Sequence, residues 1–125
     1  MGKKVLVVDD ERDCLEIASI SLRLFGDWEV FQADNVELGL QKAMDLKPDI
    51  VLLDYYIDDM TGGEFLTKLR AIKDLDDIPV VVYSGSPDAA RKDPALVGRV
   101  EILAKPLNPD SLSDTLKRIM GEHQA

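Results

Sequence analysis

The sequence predicts an α/β domain: a doubly wound sheet of five parallel strands with five helices alternating between them. Two observations carry this expectation. Short Val/Ile/Leu-rich runs recur along the chain, separated by segments in which apolar residues repeat at helical spacing. Four of those runs also end on a residue suited to chemistry. Val5-Leu6-Val7-Val8 runs into Asp9-Asp10, and Ile50-Val51-Leu52-Leu53 ends on Asp54. Val80-Val81-Val82-Tyr83 ends on Ser84, and Val100-Glu101-Ile102-Leu103-Ala104 ends on Lys105-Pro106. One such ending means little. Four of them point to one site, because in open α/β sheets ligands bind outside the carboxyl ends of the strands, where strand order reverses.

Residues 4–9 read as a buried strand and 12–25 as a helix, with Leu15, Ala18, Leu22 and Phe25 on its inner face. Gly26 is the expected stop. Trp28–Gln32 is a short strand. Asp34 is expected to cap the next helix with Glu37 as its capping-box partner, and Val36, Leu40 and Ala43 form the apolar face. Pro48 precedes a third strand, 49–54, and 55–61 reads as an acidic loop. Thr61 and Glu64 form a second capping box, opening a helix with Phe65, Leu69 and Ile72 inward. Pro79 leads into the fourth strand, 79–83. Ser86-Pro87 reads as N-cap and N1 of a fourth helix that Pro94 shortens. Residues 100–104 form the fifth strand. Asn108-Pro109 repeats the cap-and-proline start, Leu112, Leu116 and Ile119 line the last helix, and Gly121 ends it. With no repeat and no low-complexity linker, residues 1–125 are expected to form a single domain with a core of about 4–120.

A chain of 125 residues is long enough to bury a real core. Hydrophobic residues at 46% and charged residues at 31% place it among soluble globular domains. No apolar stretch approaches the roughly 18 residues of a membrane span. The Met1-Gly2-Lys3-Lys4 start is basic, but the apolar run after it stops at Asp9 with no small-residue cleavage site. It also lacks the Ser or Thr of a myristoylation signal. A sole cysteine, Cys14, rules out an internal disulfide and fits the cytoplasm. Net charge −9 and a pI near 4.5 argue against nucleic-acid binding.

Asp9, Asp10 and Asp54 brought within a few ångströms would repel strongly, by about 4 kcal/mol for two unit charges ~4 Å apart at an effective dielectric near 20. A bound cation or a raised pKa relieves this. Carboxylate oxygens with room for water suit Mg²⁺, and Mn²⁺ accepts the same ligands. Zinc is disfavoured by one Cys and a single His, His123, in the C-terminal tail. Lys105 supplies a point charge for a phosphate-like oxygen, Ser84 a hydroxyl, and Gly85 leaves the backbone N–H after it unobstructed. Together these read as a phosphoryl site in which a carboxylate can be the nucleophile. Asp54 is the best candidate, since it ends the central strand and stands alone. Taken singly, each residue has a plainer reading: the aspartates as turn formers or caps, Ser84 as a turn residue, Lys105-Pro106 as surface, Tyr55 and Tyr56 as loop residues, and Cys14 and His123 as chemically idle. The joint order, each at a strand end, favours the site.

This constellation resembles the receiver domain of bacterial two-component response regulators, from Lys4 to about Met120. The marks are Asp9-Asp10, the Asp54 of Val51-Leu52-Leu53-Asp54, Ser84-Gly85 and Lys105-Pro106, with Met60-Thr61-Gly62-Gly63 similar to the family's turn before the third helix. The resemblance implies a flavodoxin-like (βα)5 fold with strand order 2-1-3-4-5. It implies that Asp54 accepts a phosphoryl group from a sensor histidine kinase or a histidine phosphotransfer protein. Asp10, Asp54 and the backbone carbonyl of Tyr56 would bind Mg²⁺, with Asp9 acting directly or through water. Ser84 and Lys105 would contact phosphoryl oxygens, helped by the backbone N–H groups of Tyr55 and Gly85. The Lys105–Pro106 peptide would be cis. By the same resemblance the domain is a switch in the bacterial cytoplasm, not a turnover enzyme, catalysing at most its own phosphotransfer and slow autodephosphorylation. A downstream protein or output domain would read it through the 88–120 face, with no nucleic-acid or membrane contact of its own. A homodimer is compatible with this reading, as is a place in a longer regulator.

Departures from the family pattern set further expectations. Asp58 stands where the family often has Pro, so with Asp59 the loop is expected to shift and to add negative charge near the site. Ile102 replaces the aromatic usual three residues before the lysine, and no ring can flip there. Tyr56, two residues after Asp54, is expected to slow water attack on the acyl phosphate. Three rivals stand beside the main reading. A Mg²⁺-dependent phosphatase of the haloacid dehalogenase type wants a second Asp where Tyr56 stands. A flavodoxin-like cofactor binder wants a Ser/Thr/Gly-rich loop where Asp9-Asp10-Glu11 would repel phosphate. A degenerate receiver would act as a phosphorylation-independent interaction module, though the expected site residues are all present.

Overall fold

The computed structural model describes residues 2–124, with side-chain environments as far as residue 121; the side chain of His123 lies outside the described ones. Seven strands and five helices are present among these residues. The strands are β1 (Lys4–Val8), β2 (Glu29–Ala33), β3 (Ile50–Asp54), β4 (Tyr56–Ile57), β5 (Met60–Thr61), β6 (Val80–Ser84) and β7 (Glu101–Ala104). The helices are α1 (Arg12–Phe25), α2 (Val36–Leu46), α3 (Gly62–Arg70), α4 (Pro87–Arg91) and α5 (Leu112–Gln124). Five strands form one parallel sheet in the order β2-β1-β3-β6-β7, which is the expected 2-1-3-4-5 when only its members are counted. The chain moves outward from β1 to β2, then returns across β1 to β3. That reversal places the crevice for a ligand at the carboxyl ends of β1 and β3.

Period-two alternation divides the sheet's side chains between two helix layers. Leu6, Val8, Val51, Leu53, Val80 and Val82 pack with α2, α3 and Leu96 on one face. Val5, Val7, Ile50, Leu52, Val81 and Tyr83 pack with α1 and α5 on the other. β3 and β6 are buried along their whole length, so each of their apolar side chains contributes about 1.5–3 kcal/mol of burial.

The helix ends refine the sequence expectations. The Thr61–Glu64 capping box forms in both directions. The second helix is capped by Asn35, whose Oδ1 accepts from the Leu38 N–H at 2.8 Å, and not by Asp34. The two candidate patterns are one residue out of phase, and the buried Val36 at the first helical position selects Asn35. Pro94 does shorten α4, which stops at Arg91. Ser86 holds the N-cap position without a side-chain cap bond. Asn108-Pro109 builds a turn, so α5 begins only at Leu112, and it continues through Gly121 instead of ending there. Phe25, expected inward, is half exposed at the end of α1. The second strand starts one residue later than expected because Trp28 lies outside the ladder, its indole N–H donating to Ser113 Oγ at 2.7 Å.

Segment 55–61 is a two-strand hairpin, β4–β5, and not an open loop. Asp58 turns it at φ 55°, in the left-handed region that Asp tolerates and Pro cannot enter.

Candidate functional site

Alternation also decides which side chains meet at the carboxyl edge. Asp9 continues the parity of Val5 and Val7, Asp54 that of Ile50 and Leu52, Tyr83 that of Val81, and Lys105 that of Leu103. All four therefore project toward the α1/α5 side, where β3 and β6 pair Asp54 with Tyr83. The Lys105–Pro106 peptide is cis, as expected.

Lys105 is the hub. Its Nζ lies 3.2 Å from Asp54 Oδ1, 3.4 Å from Asp9 Oδ2 and 3.3 Å from Glu11 Oε1. It also sits 4.7 Å above the Tyr83 ring. Asp9 is fully buried, and its Oδ1 accepts from the Glu11 N–H at 2.8 Å. Its Oδ2 accepts from the Tyr83 hydroxyl. Asp54 is 6% exposed; burial, then the Asp9 charge, push its carboxyl up to about 7 despite the opposing pull of Lys105. Burial, then the Asp9 charge and hydrogen bond, push the Tyr83 phenol far above its ordinary range. Lys105 is raised too: burial opposes its charge, but the Asp54 and Asp9 carboxylates outweigh that.

Asp9, Glu11 and Asp54 each offer a carboxylate oxygen, and these oxygens lie within 4.8 Å of one another. Such an all-oxygen set suits a hard divalent cation. Glu11 joins the cluster unannounced by the sequence pattern, whereas Asp10 lies outside it. The Asp10 side chain is exposed, and its Oδ2 accepts from the Asp58 N–H at 3.1 Å. Asp58 Oδ2 in turn accepts from the Val36 N–H at 2.9 Å, at the start of α2. The charge expected to crowd the site is thus spent on tying the hairpin to α2, a bond Pro could not make.

Ser84 ends β6, buried, and its Oγ accepts from the Ser86 N–H at 2.9 Å. That amide, expected to be left unobstructed by Gly85, is therefore engaged. A Cβ at Gly85 would meet nothing within 4 Å, so the backbone there faces open space. The Tyr55 N–H, expected to face a phosphoryl oxygen, donates instead to the Tyr83 carbonyl at 3.0 Å, because it extends the β3–β6 ladder by one bond. The Tyr56 ring is 55% exposed beside the site and stands edge-on to Tyr55, centroids 4.6 Å apart.

Tyr55 leads away from the site. Its hydroxyl donates to Asp93 Oδ2 at 2.9 Å, just past α4, and Asp93 Oδ1 accepts from the Ala95 N–H at 2.9 Å. Burial, then this bond, raise the Tyr55 phenol to about 12. Gly63 makes room for the contact, since a Cβ there would lie 2.4 Å from Asp93 Oδ2. Ile102 is half-buried against the α2/α3 layer. Beside Lys105, a cavity of about 220 Å³ is lined by Cys14, Ile17, Tyr83, Pro106, Leu107 and Pro109.

The sequence profile of the response regulator receiver domain matches residues 5–117. The chain is 30% identical over 121 residues to the phosphate regulon transcriptional regulatory protein PhoB of Pseudomonas aeruginosa, covering 96% of this chain and 52% of that protein. It is 32% identical over 122 residues to the KDP operon transcriptional regulatory protein KdpE of Escherichia coli, covering 97% and 52%. This chain thus spans about half the length of those curated relatives. Among solved structures it is similar to the chemotaxis response regulator CheY4 of Vibrio cholerae, with a TM-score of 0.82, 31% identity, and 95% and 99% of the two chains covered. A CheY-like receiver domain protein from Methanospirillum hungatei JF-1 aligns with a TM-score of 0.85 at 25% identity, covering 99% and 98%. With its strand-end aspartates, lysine and serine on a sheet of this order, the chain belongs to the response regulator receiver domain family.

Proposed function

We propose that this chain takes a phosphoryl group onto Asp54 from a phosphohistidine of a sensor kinase or phosphotransfer protein, with Mg²⁺ in the acidic cluster. The observation that carries this is the Lys105 ammonium held among Asp54, Asp9 and Glu11 at the end of the central strand. In the transfer, an Asp54 oxygen forms a P–O bond as the donor's P–N bond breaks, and that electron pair stays on the imidazole nitrogen. A bound Mg²⁺ would neutralise charge on the phosphoryl oxygens and favour ionised Asp54. Asp9, Asp54 and Glu11 are the residues that would hold it; Asp10, whose Oδ2 here accepts from the Asp58 N–H, and the Tyr56 carbonyl would be further oxygen donors. Lys105 then turns to a phosphoryl oxygen. Ser84 does the same by giving up its bond to Ser86, and the Gly85 N–H adds a donor.

The donor protein must bring its histidine within bonding reach of Asp54, so its docking face adjoins the site. Ile17, Ile20 and Leu24 form an outward apolar stripe on α1, with Phe25 exposed at its end, leading to the cavity beside Lys105. This stripe fits that role. The 88–120 face, reached from the site through Tyr55 and Asp93, serves the output partner. The domain acts as a switch and not as a turnover enzyme, and the cytoplasm is its place of action. Among the described residues, no helix is long and apolar enough to cross a membrane. Incubation with a small acyl phosphate and MgCl₂, read by intact mass, tests the proposal: one phosphoryl adduct is expected on the wild type. No adduct, or an undiminished one on Asp54→Ala, overturns it.

A further inference from the structure

Tyr83 is 1% exposed, at a strand position where a purely apolar side chain would satisfy the packing. A phenol there must find a partner, because a buried hydroxyl left unpaired costs about 1–3 kcal/mol. Its partner is Asp9 Oδ2. A carboxylate offers about four lone-pair positions. In Asp9 one goes to the Glu11 N–H, one to the Tyr83 hydroxyl and one to Lys105. The backbone amide and the phenol fix the plane of the carboxylate; the Lys105 contact, at 3.4 Å, is the one a cation would replace. The same three carboxylates that could hold a cation hold Lys105 here, so a bound cation would repel the ammonium. The Tyr83 ring face, 4.7 Å below Nζ, would still offer the ammonium a cation–π seat beside Asp54.

We propose that Tyr83 is a positioning residue of the phosphoacceptor site, its hydroxyl orienting Asp9 toward the divalent cation and its ring seating Lys105. This rests on the reading of Asp9 as a ligand of Mg²⁺. Hydrogen-bond partners behind metal ligands typically govern metal affinity by about 10–100-fold. Tyr83→Phe keeps the ring and removes the hydroxyl.

Calorimetric titration with MgCl₂ is expected to show Tyr83→Phe binding about tenfold more weakly than the wild type. In phosphorylation by a small acyl phosphate, the Mg²⁺ concentration for half-maximal rate rises by the same factor. The rate at saturating Mg²⁺ stays within about twofold. A residue that only packs the core would leave the Mg²⁺ constant unchanged, and a constant within about twofold of wild type overturns the inference. A second measurement avoids substituting Tyr83. The chain has 3 tyrosines, so Tyr55→Phe with Tyr56→Phe leaves Tyr83 as the sole tyrosine absorber. MgCl₂ is expected to shift its near-ultraviolet band with the calorimetric midpoint, and no shift overturns the inference. A wild type that binds no Mg²⁺ overturns the metal reading beneath it; a wild type and a Tyr83→Phe variant that bind alike overturn this inference alone.

Discussion

Asp54→Asn should stabilise the metal-free protein although it removes the proposed phosphoacceptor. The Asp54 carboxyl titrates near 3.8 when free and at about 7 in the fold, raised by burial and then by Asp9. Below pH 4 it is protonated in both states and costs the fold nothing. As pH rises from about 4 to 7, the unfolded chain releases this proton while the folded chain keeps it, so stability falls. Above about 7 the full penalty is present. At about 1.4 kcal/mol per tenfold, that difference corresponds to roughly 4 kcal/mol, and relaxation around the site should leave about 2 kcal/mol. Asparagine keeps the shape, carries no charge and can still accept from Lys105. Urea unfolding followed by far-ultraviolet circular dichroism in EDTA should show Asp54→Asn more stable by about 2 kcal/mol at pH 8, with the gap narrowing toward pH 5. Adding MgCl₂ should close the gap from the other side, since the cation stabilises the wild type by mass action and has one ligand fewer in the variant. A variant no more stable than wild type at pH 8 in EDTA, or a gap that does not change with pH, would refute the reasoning.

Tyr56→Ala should open the exposed side of the site to water, shortening the lifetime of the acyl phosphate by roughly two- to tenfold, read as the decay of the phosphoryl adduct by mass. Gly63→Ala puts a Cβ 2.4 Å from Asp93 Oδ2. It should cost about 1–3 kcal/mol in urea unfolding. In alkaline titration it should also lower the Tyr55 phenol from about 12 toward its ordinary 10.0. Asp58→Ala removes the acceptor for the Val36 N–H and leaves a residue with a Cβ at φ 55°, so a loss of about 1–2 kcal/mol is expected. Faster hydrogen exchange at the Val36 amide would locate that loss, and an unchanged exchange rate would contradict it.

The sheet was legible because its central strands are buried on both faces, and such strands are written as unbroken runs such as Val5–Val8 and Val80–Val82. The edge chemistry was legible for the same reason: the residue after each run lies at the carboxyl end. Tyr83 lies in phase with Asp54 and Lys105, but its place in an apolar run carries no sign of the hydrogen bond its hydroxyl makes to Asp9. Glu11 was hidden because it follows its strand by three residues, where the chain has already turned toward α1. Asp10 was read as a metal ligand and Asp58 as charge near the site; the hydrogen bonds both accept from backbone N–H groups depend on the turn geometry of β4–β5 and left no mark in the sequence. The Tyr55–Asp93 bond spans 38 residues and has no local signature.

The central claim is tested most directly by trapping the acyl phosphate with borohydride, which reduces a phosphorylated aspartate to homoserine. After incubation with a small acyl phosphate and MgCl₂, peptide sequencing by mass spectrometry should find homoserine at position 54, and none when MgCl₂ is replaced by EDTA. Homoserine at Asp9 or Asp10, or at no aspartate, would contradict the assignment of Asp54 as the phosphoacceptor.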